Sequence, residues 1–147
     1  MTDVEKAVRS FQQEHFSCSQ AVLGSYCERY GLPRDVALRL ADALGGGMGG
    51  LGRTCGAVTG SLMVIGLAHG RTVADDSAAK LATALRVRRF VAQFEARHGT
   101  TVCRDLIGCD IDTPEKIRAA RDQGLFDRVC AGLVRSAAEL LEGVLAK

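Results

Sequence analysis

Apolar positions recur at three- and four-residue spacing along most of the chain, which predicts helices. Asp3 to about His15 reads as the first. A second starts in "FSCSQAVLGSYCERYG", where Ser17 fits an N-cap and Gln20 completes a capping box; Gly31 ends it. The third runs from Pro33 to Leu44, with Val36, Ala37, Leu40, Ala41 and Leu44 on one face. A glycine run from Gly45 to Gly52 then breaks the pattern. Thr54 is placed to cap the next helix, which closes at Gly70.

A long amphipathic helix follows from about Asp76 to His98. Leu81, Ala84, Leu85, Arg88, Val91 and Phe94 form its expected inner face. One helical turn is expected at Cys103 to Ile107, then a loop. Thr113 and Pro114 open another short helix. The last helix spans about Leu125 to Leu145 and buries Leu125, Phe126, Val129, Leu133, Ala137, Leu140, Leu141 and Val144. Nothing alternates with period two for more than a few residues, so no sheet is expected. The expected fold is an all-α, single-domain bundle over 1–147, of about five to seven helices with a Gly-rich interhelical loop.

Composition agrees with one domain: the chain has 147 residues and is 47% hydrophobic. Only 5% is aromatic and there is no Trp, so Leu, Val, Ala and Met must build the core. The net charge of +2 is too balanced to argue for nucleic acid. The cluster Arg86, Arg88 and Arg89 reads as a solvated helix face. The N-terminus is polar from residue 3, unlike a secretory leader. The uncharged run from Thr54 to Gly70 is shorter than the roughly 20 residues of a membrane span. A soluble, cytoplasmic protein is expected.

The six cysteines change the picture. In a reducing compartment such a number points to thiol or metal chemistry. No Cys-x-x-Cys pair occurs, so any site must be assembled from distant segments. Cys18 and Cys55 each follow a hydroxyl residue at an expected helix start. There the helix dipole should lower a thiol pKa from about 8.5 toward neutrality. Arg53, two residues before Cys55, could add positive charge. Cys103 and Cys109 lie six apart in a turn-rich segment, and Cys130 lies at the edge of the last helix's buried face. Cys27 points about 180° away from Cys18 and reads as packing. His15, His69 and His98 sit near helix ends and read as surface or capping groups.

Half the interest lies in "GGGMGGLGRTCGAVTG", residues 45–60. It has no Gly-x-x-x-x-Gly-Lys-Ser/Thr phosphate loop. Gly47, Gly49 and Gly52 match Gly-x-Gly-x-x-Gly, but the run follows a helix and not a strand, which discounts a dinucleotide site. Gly56 and Gly60 would leave a bare stripe beside Cys55, open either to another helix or to a reacting group.

With these residues in place, the chain resembles the redox-active family named for its cysteine pattern, C_GCAxxG_C_C. The resemblance rests on "CSQAVL" at Cys18, the glycine run ending in Cys55, Gly56, Ala57 and Gly60, "CRDLIGCD" at Cys103 and Cys109, and "VCAGLVRSAAELL" at Cys130. The central element here reads Cys-Gly-Ala where the label has Gly-Cys-Ala, and Ala131 follows Cys130 where proline is frequent. The resemblance implies a largely helical protein that does redox chemistry through Cys18, Cys55, Cys103 and Cys130, with Cys109 next.

Three readings stay open at this point. In the first, Cys55 is a central thiolate that forms a reversible disulfide with Cys18 or Cys103 and exchanges with a small thiol or a redox partner protein, as a thiol oxidoreductase would. In the second, Cys18, Cys55, Cys103 and either Cys109 or Cys130 hold an iron–sulfur cluster or zinc. In the third, the cysteines only fill gaps in a Gly/Ala-rich bundle. Long apolar helix faces leave room for a homo-oligomer. No nucleic acid and no membrane is expected as a partner.

Overall fold

The computed structural model describes residues 1–146. It is all-α: helices α1 (Asp3–Gln12), α2 (Cys18–Tyr26), α3 (Arg34–Asp42), α4 (Gly56–His69), α5 (Ser77–His98), α6 (Cys103–Ile107), α7 (Pro114–Asp122) and α8 (Ala131–Leu145). A 3-10 turn, Cys27–Tyr30, extends α2, and a π-helical turn, Phe126–Cys130, leads into α8. Among the described residues the strand-like pairing is one isolated antiparallel bridge, Thr54 with Val102.

Local chemistry sets most boundaries. The Ser17 hydroxyl accepts from the Gln20 amide, and the Gln20 side chain accepts from the Ser17 amide, which closes the expected capping box. Thr113 caps α7 with Pro114 in its first turn. The first helix stops at Gln12, short of His15, which takes a positive φ of 63° as the chain turns toward α2.

The core is a sandwich of α2, α4 and α8, flanked by α1 and α5. Val22, Leu23 and Tyr26 from α2 meet Val58, Val64 and Ile65 from α4 and Val134, Leu141 and Val144 from α8. Between α2 and α4 the approach is backbone to backbone. A Cβ on Gly56 would lie 2.9 Å from the Ser19 amide nitrogen, and one on Gly60 would lie 2.9 Å from the Ser19 carbonyl oxygen. The buried Ser19 hydroxyl donates to the Ala41 carbonyl at 2.8 Å and ties α3 to the same seam.

Four expectations are corrected. The long helix α5 is rotated from the expected face: Phe94 is buried and Val91 half-buried as expected, but Leu81 and Leu85 are 59% and 54% exposed, and Ala84 and Arg88 are also exposed. Its inner stripe is Thr83, Arg86, Val87, Phe90 and Phe94, with both rings fully buried. Either stripe satisfies a 3.6 period, and the aromatic pair has more area to bury. Arg86 is therefore half-buried and not on a solvated face. On α3, Leu40 is exposed.

The cap of α4 is Cys55 itself, not Thr54, which is held by the bridge to Val102.

The glycine run is the fourth. It is not an open loop but a tight left-handed turn. Gly46, Gly47, Met48, Gly49 and Gly50 have φ of 64°, 71°, 71°, 65° and 80°. The turn is closed by hydrogen bonds from the Met48, Gly50 and Arg53 amides to the Leu44, Gly45 and Gly47 carbonyls. L-residues pay roughly 1–2 kcal/mol each for this conformation, so consecutive glycines are what make it accessible. Met48 is the lone non-glycine in it.

Candidate functional site: a cavity lined by four thiols

Four segments deliver cysteines to one place. Cys18 opens α2, Cys55 caps α4, Cys103 opens α6, and Cys130 closes the π-helical turn before α8. All four line a cavity of about 420 Å³. Its remaining wall is largely hydrocarbon, including Leu106, Ile107, Ile111 and Leu133. The four cysteines are free thiols.

The bridge between Thr54 and Val102 explains how Cys55 and Cys103 come to face the same way. The Cys55 amide donates to the Thr101 carbonyl at 2.8 Å, and the Cys103 amide donates to the Arg53 carbonyl. In an antiparallel ladder, residues on either side of the bridged pair point to one face. The left-handed turn completes the seat: a Cβ on Gly47 would stand 2.7 Å from the Cys103 Cβ. Cys18 packs against both the main core, which holds Cys55, and a smaller cluster that holds Cys103 and Cys130.

Electrostatics order the thiols differently from the sequence reading. Burial pushes Cys55 up to about 11, against the opposing pull of the Ala57 and Val58 amides. Burial likewise pushes Cys103 up to about 12, with the neighbouring sulfurs adding to it. Cys18 rises well above the ordinary thiol value because it donates a hydrogen bond to Cys130 and is desolvated. Cys130 is pulled down by that same hydrogen bond, against burial. Of the two, Cys130 is the thiol held toward its ionised form. The expectation that helix starts would make Cys18 and Cys55 acidic is thus overturned. Desolvation in an apolar cavity outweighs a few aligned amides. Cys55 is a thiol at neutral pH, not a standing thiolate.

The other candidate residues fall around this cavity. The Arg53 side chain is exposed and off the lining; its backbone carbonyl is what serves the site. Gly56 lines the cavity, while Gly60 is covered by Ser19 and Val22 of α2. Cys109 is half-buried and lines a separate surface pocket with Lys116 and Gln123. Cys27 is buried in the core, where its thiol donates to the Gly24 carbonyl at 3.4 Å. His98 bonds Ser136 at 2.8 Å, away from the thiols. Among the described residues no three Cys, His, Asp or Glu side chains converge tightly enough to hold a metal ion.

Sequence reasoning missed the aromatic wall. Phe11, Phe16 and Phe126 line the cavity together with His15 and Arg121. No local pattern marks them, because they come from α1, the turn after it and the π-helical turn.

An all-α domain whose cysteines, far apart in sequence, gather around one pocket defines a class of thiol-bearing helical proteins. The chain belongs to the C_GCAxxG_C_C family: the family model described as "Putative redox-active protein (C_GCAxxG_C_C)" matches residues 16–144. A redox role follows from that membership. No curated protein and no solved structure matches the chain. No described helix is long and apolar enough to cross a membrane.

Proposed function

We propose that this protein is a two-electron thiol–disulfide redox protein in which Cys18 and Cys130 are the exchanging pair. The observation that carries the reading is that both sulfurs line one cavity, where Cys18 holds the Cys130 thiol below its ordinary value. Cys130, as thiolate, attacks one sulfur of an incoming disulfide, and the other sulfur leaves as a thiolate. Cys18 gives its proton to that leaving group. The Cys18 thiolate then attacks the Cys130 sulfur of the mixed disulfide and expels the second thiol, which takes up a proton from solvent. The protein loses two electrons and the one proton that Cys18 carried; the small disulfide gains two electrons and two protons, one from Cys18 and one from solvent, as two thiols.

The test is disulfide mapping. Protein purified without oxygen is reduced, treated with limiting diamide, alkylated and digested. The expected first product is a Cys18–Cys130 bridge, with two alkylatable thiols lost. If Cys18 and Cys130 stay unpaired while other thiols react, the reading fails. Stoichiometric metal or a visible chromophore in the same anaerobic preparation would instead establish the iron–sulfur or zinc reading.

A further inference from the structure

The walls of the cavity say what kind of disulfide can reach the sulfurs. Cys55, Cys103 and Cys130 are 3%, 8% and 6% exposed. Attack at a disulfide needs the three sulfurs nearly in line, so the partner's S–S bond must come inside. A cavity of about 420 Å³ admits a small organic molecule and not a folded protein.

We take as its entrance an adjoining hollow of about 270 Å³ lined by Phe11, His15, Phe16, Arg121, Phe126 and Asp127. It shares all of these but Asp127 with the inner cavity. The chain has five phenylalanines, and three of them stand here, each half-buried. The other two, Phe90 and Phe94, are fully buried in the core. In a chain so poor in aromatics, a ring of partly exposed phenylalanines at one opening is a recognition surface in want of an apolar guest. The charged side chains of this hollow are one of each sign, Arg121 and Asp127. Asp42 is the one acidic group on the inner lining. Leu106, Ile107, Ile111, Ile117 and Leu133 keep the rest of that lining mainly apolar, with Ser17 and Gln20 as its uncharged polar side chains.

We propose that the oxidant of the Cys18–Cys130 pair is a small, uncharged disulfide with a hydrocarbon body, admitted past Phe11, Phe16 and Phe126. The proposal rests on the thiol–disulfide reading above and narrows it. The exchange balances as before: one R–S–S–R is reduced to two R–SH while the protein gains one S–S bond.

The experiment compares probes on the reduced full chain without oxygen. Di-n-propyl disulfide, 2-hydroxyethyl disulfide, oxidised glutathione and an oxidised thioredoxin-type protein are each reacted with it. Each rate of Cys18–Cys130 closure is divided by that probe's rate with free N-acetylcysteine at the same pH, which removes intrinsic reactivity. The expected order is dipropyl first, hydroxyethyl second, and glutathione and protein disulfides slower than dipropyl by about tenfold or more. Equal or faster normalised rates for oxidised glutathione or the protein disulfide overturn the proposal. Diamide separates the two levels. If diamide closes the pair but the probes show no apolar preference, this inference alone falls. If diamide fails to close it, the thiol–disulfide reading falls and takes this one with it.

Discussion

Alanine at Gly47 and at Gly50 makes a matched pair of perturbations. Both glycines have positive φ, 71° and 80°. Both substitutions therefore pay the left-handed penalty, roughly 1–2 kcal/mol, less about 0.4–1 kcal/mol for the stiffer unfolded chain. They differ in space. A Cβ on Gly47 would stand 2.6 Å from the Arg53 nitrogen, 2.8 Å from the Gly52 carbonyl carbon and 2.7 Å from the Cys103 Cβ. Two of these are backbone atoms that no rotamer change can move. A Cβ on Gly50 would meet nothing within 4 Å. Overpacking at the first site adds roughly 1–3 kcal/mol. Gly50→Ala should then cost about 1 kcal/mol, and Gly47→Ala about 2–4 kcal/mol. Urea unfolding followed by far-ultraviolet circular dichroism at pH 7 reads both. Costs equal within about 0.5 kcal/mol would refute the claim that close packing, and not handedness alone, demands glycine at position 47.

Removing the hydrogen-bond donor to Cys130 should slow its alkylation at pH 7: Cys18→Ala raises its pKa, and Cys18→Ser, which keeps a donor, restores part of the rate. An unchanged rate in Cys18→Ala would show that Cys18 does not hold the Cys130 thiol down. Burial of Cys55 links stability to alkaline pH. Its pKa rises from 9.0 to about 11 on folding, so the unfolded chain releases this proton first. The contribution is whole below pH 9 and is lost as the pH climbs to 11. It amounts to about 3 kcal/mol. Wild type should lose about that much more stability across this range than Cys55→Ala, and parallel pH curves would contradict it. In the core, the buried Tyr26 hydroxyl donates to the Glu142 carboxylate at 2.7 Å. Tyr26→Phe should cost about 1–2 kcal/mol, and an unchanged urea midpoint would refute that role.

Much of the helical frame could be read from the chain because its signals are local. Ser17 with Gln20, Thr113 with Pro114, and Gly99 after α5 mark ends wherever they fold. The face that α5 buries was legible at Val91 and Phe94 but not in its first half. Its leucine stripe and its phenylalanine stripe share one period, and only the tertiary competition for the core decides between them. The order of thiol acidities was hidden for a related reason. Helix starts are visible in sequence, whereas desolvation depends on Leu106, Ile111 and Leu133, which arrive from elsewhere. The handedness of the glycine run was equally silent, since glycine accepts either sign of φ.

What the glycines do becomes plain when each is paired with its neighbour. A Cβ on Gly45 would press on Ser17, one on Gly56 on Cys18 and Ser19, one on Gly60 on Ser19 and Val22. A Cβ on Gly47 would press on Cys103, and one on Gly52 would crowd Arg104. The run is a docking strip, and the two chain segments seated on it are the ones that carry Cys18 and Cys103. Cys55 belongs to the strip itself. Three of the four sulfurs are therefore positioned by backbone contacts that leave little slack. Cys130 alone arrives on a different support, at the end of a π-helical turn, whose wider winding is less regular than the α8 helix it feeds. If Cys18 and Cys130 form the exchanging pair, one sulfur sits on the strip's close backbone contacts and the other comes from a turn outside it, packed beside Cys103.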